Sequence, residues 1–508
     1  MSRASAKSSK SSAETFSHAS SGEALDVYRN AEGKLEKTHG MHWLTTGIFL
    51  TGELAGAGVI ALPLAVRNQG FYYGMVAAVV LLLMCAYTSI ILGRSWMILL
   101  KHWPAYHSHC KNPYAEIGKR AMGRYMKNFV EIVLNYGMFA VGALLIVIVA
   151  KGVGDMIKAF TETNFSYCYN VLIVSLIILP SFYLRSPENF HWIINAGMVC
   201  TVVAIILAMI GIVKDAFLCD LGIKEVELTP LRVAGGFGTL FFAYGGHAVF
   251  PSVQHDMKKP YLFSRSSNLA YTLVALMYFP LMIAANYVYG DNIQPSIINN
   301  INTVWIQQSV NILIFLHCAL TVVLVMNPIN QQIEHFGGAP PEFSARRVFY
   351  RTLVMLAAVF LAESFPNFGP LIDLMGATVF TMTSYIFPIA FYLYLNAIDK
   401  IFDEMTKNGE EIPTENGEKT LKIGFYEACK YASSLDLAYC CAIYIVAVLV
   451  FFSATTSAIE ALSYSQFLTP CYLKFIWPWP VESLTTSALA CCGDYHNLSL
   501  QHCYSLFD

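Results

Sequence analysis

The chain has 508 residues, of which 56% are hydrophobic and 13% charged, with a mean hydropathy of +0.50. Soluble domains carry about 25% charged residues, and a soluble chain this apolar would expose large greasy patches and aggregate, which excludes an ordinary cytosolic enzyme and a disordered scaffold. The 32 basic and 34 acidic residues nearly cancel, so no polyionic partner is implied and nucleic acid is not expected as one.

Residues 1–42 are polar and serine-rich and read as a disordered cytosolic tail without a signal peptide. A membrane-crossing helix needs about 20 mostly apolar residues. Eleven such blocks follow, at 43–66, 71–99, 129–150, 168–184, 190–213, 234–254, 268–290, 305–326, 350–364, 370–395 and 437–456. They are continuously apolar rather than alternating, which leaves helices and not a barrel. The expected fold is an all-α membrane protein. Its transmembrane domain runs over 43–456, and a cysteine-containing tail outside the cytosol runs over 457–508.

Orientation follows from lysine and arginine placement. With the N-terminus inside, 24 of these residues fall in inner segments and seven in outer ones, and Arg94 lies within the second block. An odd number of spans then puts the C-terminus outside. Both Asn-x-Ser/Thr acceptors, Asn164 and Asn497, fall in segments predicted outside. So do six cysteines, of which Cys168 and Cys219 are the preferred disulfide pair.

Motifs for catalysis are missing. The sequence holds no Gly-x-Ser-x-Gly elbow, no His-Glu-x-x-His and no complete phosphate-binding loop. No cofactor or metal is expected. A secondary transporter, a channel or an intramembrane enzyme remains.

The informative features are two interrupted blocks. The first reads Gly52-Glu53-Leu54-Ala55-Gly56-Ala57-Gly58, and the sixth reads Tyr244-Gly245-Gly246-His247 before Pro251. Glycine costs about 1 kcal/mol in a helix interior, so both blocks are expected to unwind mid-membrane. Two broken helices in corresponding positions of two five-helix halves point to an inverted-repeat transporter. Close helix packing through Gly52-x-x-x-Gly56 is the plainer alternative. Exposed half-helix ends present N–H and C=O groups to a ligand. An anionic substrate group is therefore expected against Gly56, Ala57 and Gly58, and a cationic one near the carbonyls of Tyr244 and Gly245. Asn135 in the third block is a further candidate contact.

The strings GAGVIALPLAVRNQGFYYG, FFAYGGHAVFPSVQHDMKKP and PNFGPLIDLMGA resemble the amino acid/auxin permease family, over about Trp43 to Thr456. The resemblance implies a leucine-transporter-like fold, a 5+5 inverted repeat with broken helices 1 and 6 plus an eleventh helix, that carries amino acids with a cation gradient. Sodium-coupled members place an asparagine where Gly52 stands here, which favours co-transported H+ over Na+. Glu53 lies beside that position, and a carboxylate so deep in a membrane is expensive without a job or a partner. His247, His317 and Thr321 are the other candidate coupling groups. An amino-acid-sensing receptor on the same fold stays open, as does an acyltransferase using His317. The membrane is either the plasma membrane or an endolysosomal or vesicular one.

Overall fold

In a computed structural model, residues 27–30, 33–108, 110–161, 165–183, 190–219, 221–223, 226–340, 342–415 and 417–464 are described. Asn164, Asn497 and the segment from 465 onward lie outside them, as does the start of the polar tail through residue 26.

The chain opens with a small antiparallel ribbon, β1 (Val27–Arg29) and β2 (Leu35–Lys37). This differs from the expectation of a disordered segment through residue 42. The ribbon docks because its polar groups find partners. Lys37 N–H donates to Lys258 O at 2.9 Å, and Glu36 accepts from Tyr261 Oη at 2.8 Å. Met41 and Lys258 continue the pairing, and Gly40 fits only without a side chain, since a Cβ would lie 2.6 Å from Lys258 N.

Helices then follow almost without interruption. They are α1 (Trp43–Leu54), α2 (Leu62–Asn68), α3 (Phe71–His102), α4 (Pro113–Met122) and α5 (Arg124–Thr161). Next come α6 (Tyr167–Phe182), α7 (Phe190–Asp215), α8 (Pro230–Tyr244), α9 (Phe250–His255) and α10 (Phe263–Tyr289). The series ends with α11 (Val304–Phe336), α12 (Ala345–Ser364), α13 (Phe368–Met375), α14 (Phe387–Asn408), α15 (Phe425–Lys430) and α16 (Ser434–Tyr464). Two π-helical turns, Gly376–Phe380 and Met382–Ile386, join α13 to α14 in one continuous rod.

Seven of the described helices are long and apolar enough to cross a bilayer, and Tyr167–Phe182 is a shorter apolar one. The molecule is a multi-pass membrane protein. The blocks at 43–66 and 234–254 are each split in two, into α1 and α2 and into α8 and α9. α5 packs on α11, α11 on α7, and α1 on α10. α8 is wedged between α2, α13 and α16. This packing brings the two splits face to face.

Candidate functional site

α1 ends at Leu54. Ala55 and Gly56 leave the helical conformation, and a short 3-10 turn, Ala57–Ile60, leads to α2. The first N–H groups of a helical turn have no partner inside it. Gly56 N–H is engaged by Leu54 O at 2.9 Å, but the N–H groups of Ala57 and Gly58 have no acceptor among the described residues. Across from them α8 stops at Tyr244, and Gly245–Val249 bridge to α9. The two segments touch at Gly58, where a Cβ would stand 2.9 Å from Ala243 Cα. Only glycine allows that approach without displacement.

Between these breaks lies a cavity of about 130 Å³, reached by Glu53, Gly56, Ala57, Gly58, Gly245 and His317. Its remaining wall is largely apolar, from Leu134, Met138 and Val141 of α5, Phe242 of α8, Leu324 of α11 and Phe380 of the first π turn. Glu53 is half-buried, its exposed part opens into the cavity, and it has no hydrogen-bond or ionic partner among the described residues.

His317 enters from α11 with its Nδ1 anchored. Its Nδ1 lies 3.0 Å from Gly197 O and 3.1 Å from Thr201 Oγ1, both on α7. A carbonyl oxygen only accepts, so Nδ1 carries a hydrogen toward Gly197 O. Nε2 faces the Gly56 side, 3.7 Å from where a Cβ would be, with Thr321 Oγ1 at 3.5 Å. Thr321 spends its own hydrogen on His317 O at 2.8 Å. The cavity therefore holds a carboxyl group with no partner among the described residues and, beside it, a histidine ring.

The structure separates the remaining candidates from this cluster. His247 does not line the cavity; Nε2 meets Thr88 Oγ1 at 3.0 Å on α3, and the ring stacks on Phe250. Asn135 turns back on its own helix, donating from Nδ2 to Glu131 O at 2.7 Å. The Tyr244 carbonyl is occupied by Tyr271 Oη and Cys85 Sγ, each at 3.3 Å. Gly245 lines the cavity, and its carbonyl has no donor among the described residues. Asp373 accepts from Thr239 Oγ1 on α8 and stays outside the cavity. Gly197 and Thr201 were not singled out by sequence, because only the fold brings α7 to His317.

Cys168 and Cys219 are both disulfide-bonded, whereas the other seven described cysteines are free thiols. Among the described residues, the one cluster with metal-ligating spacing is His102, Asp399 and Asp403. Lys101 Nζ already fills it, at 2.7 Å from Asp399 and 2.8 Å from Asp403.

A family model described as "Transmembrane amino acid transporter protein" matches residues 39–407. The chain is similar to Lysine histidine transporter-like 3 of Arabidopsis thaliana, with 23% identity over 70% of this chain and 81% of the relative. It is also similar to Lysine histidine transporter-like 1 of the same plant, with 25% identity over 70% and 80% of the two chains. For Amino acid transporter AVT1B, again from Arabidopsis thaliana, the identity is 21% over 67% and 62%.

Proposed function

The chain belongs to the transmembrane amino acid transporter family, and from that premise we propose a secondary active transporter that moves amino acids by alternating access with protons as the coupled ion. It is a transporter and not an enzyme. The observation that carries the reading is the meeting of two helix breaks at one cavity, where the N–H groups of Ala57 and Gly58 and the carbonyl of Gly245 have no described partner. Such groups suit the two ends of a zwitterion. The amides would take the carboxylate and the Gly245 carbonyl the ammonium. The Tyr244 carbonyl, already engaged, is left out of this assignment.

Eleven helical passes in a leucine-transporter-like 5+5 repeat are the arrangement we infer. The splits in the first and sixth apolar blocks support it. The lysine and arginine bias favours a cytosolic N-terminus and an external C-terminus. With that orientation Asn164 and Asn497 are available for glycans. Cys168 and Cys219, at the outer ends of α6 and α7, are assigned to one another as a disulfide.

Coupling is assigned to Glu53, with His317 and Thr321 beside it. A carboxylate in a membrane interior without a counter-ion is costly. Protonating Glu53 removes that charge and lets the first helix rearrange around the cargo. His247 lies outside the cavity and is the lesser candidate.

The test is exchange by the purified chain in proteoliposomes. Labelled leucine, glutamine, lysine and histidine are supplied outside against unlabelled amino acid inside. Entry of at least one label is expected. Saturable binding without any entry would instead identify an amino-acid sensor.

A further inference from the structure

A second cavity, of about 560 Å³, lies about one helical turn further along two of the helices that line the first. On α5 the first cavity ends at Leu145 and the second begins at Ile148; on α11 His317 lines the first and Ile314 the second. Ile60, two residues past Gly58, also lines it, as do the residues that open α13. The second cavity therefore lies next to the first, on the side predicted to face away from the cytosol.

Two charged residues of α5 face this space, Lys151 and Asp155. They stand one helical turn apart, which puts their Cβ atoms about 5–6 Å from each other. Neither closes a hydrogen bond or a contact ion pair with a described residue, although each lies in the other's electrostatic field and Asp155 also in that of Lys158. Lys151 Nζ lies instead 5.3 Å over the Phe368 ring. The other described polar side chains of the wall, Gln294, Ser296, Asn299, Asn311 and Asn367, are neutral. Opposite charges on one helix normally gain by pairing. Two that line a cavity without closing on each other form the complement of a molecule that carries both charges on one carbon.

We propose that this cavity is a second amino acid site next to the first, where Lys151 receives the α-carboxylate and Asp155 the α-ammonium. The proposal rests on the reading of the chain as an amino acid transporter. The ligand class is the zwitterionic α-amino acid, read by its charged end. The wide cavity leaves the side chain unselected, and selection by side chain falls to the narrower apolar cavity beside it. A plain amine or a plain carboxylate satisfies one charge and leaves the other exposed.

The experiment is the concentration dependence of uptake by the full chain in proteoliposomes, with the same four labelled amino acids. Lys151→Met and Asp155→Asn are each expected to raise KM at least about five-fold, with Vmax within about two-fold. Lys151→Arg, which keeps the charge, should keep the wild-type KM. Wild-type uptake should be inhibited more weakly by the desamino analogue of the cargo than by the amino acid, and Asp155→Asn should narrow that gap. Unchanged KM in both variants overturns the proposal, and so does loss of Vmax at constant KM, which would mark a structural role. No flux of any label through the wild type removes the transporter reading itself, an outcome distinct from a change confined to the variants.

Discussion

Position 58 decides how closely two chain segments approach. Its missing side chain lets the 3-10 turn rest on the last turn of α8. Gly58→Val would force the segments apart, and overpacking of this kind costs about 1–3 kcal/mol. Exchange is expected to fall on the order of 10- to 100-fold, with normal yield of folded protein; a well-folded Gly58→Val chain exchanging at the wild-type rate would contradict the placement. Glu53→Gln separates cargo from coupling. It should retain exchange but lose the response to an imposed pH gradient, and accumulation that still follows pH in this variant would pass the role to His317. These glycines and Glu53 were legible in sequence because breaks and buried charges are local signals. The contact of His317 with Gly197 was not, since 120 residues separate them. Asn135 misled for the opposite reason, because its nearest acceptor is its own helix one turn back.

Among the elements, the β1–β2 ribbon is the largest departure from the sequence reading. Its polarity looks solvated in a linear scan, yet Glu36 and Lys37 are buried. Burial by itself pushes the Glu36 carboxyl up, but hydrogen bonds from Tyr261, Asn30 and Lys259 outweigh it and hold the group below its ordinary 4.5. A depressed carboxyl contributes stability above its unfolded value, and that contribution is lost as pH falls through the folded one. Hydrogen exchange in the ribbon is therefore expected to quicken below about pH 4.5 relative to α3. Glu36→Ala should show the same loosening at pH 7, and protection equal to wild type would contradict it. The π-helical turns were equally invisible to periodicity. The first of them begins where Gly376 packs against Gly238 of α8.

At the scale of the molecule, the apolar blocks located the helices well and their bounds less well. The third block, read as 129–150, is part of a helix over Arg124–Thr161. Its charged ends, which include Lys151 and Asp155, were discounted by a search for lipid-compatible residues. The first and sixth blocks do not yield single long helices because glycine divides them. α12 carries three arginines among its 20 residues, so only its apolar part was read as a block, at 350–364, and the helix is not among the seven long apolar ones. The orientation is testable by tags. An N-terminal tag should need permeabilisation for labelling, a C-terminal one should not, and Asn164→Gln should abolish a glycosidase-sensitive shift at that site; an externally exposed N-terminal tag would invert the topology. The central claim, proton-driven amino acid transport, is tested most directly by accumulation of labelled amino acid into proteoliposomes under a pH gradient or a sodium gradient, each imposed alone. Accumulation above equilibrium is expected with the pH gradient and not with sodium, whereas accumulation that follows sodium and ignores pH, or none under either, would contradict it.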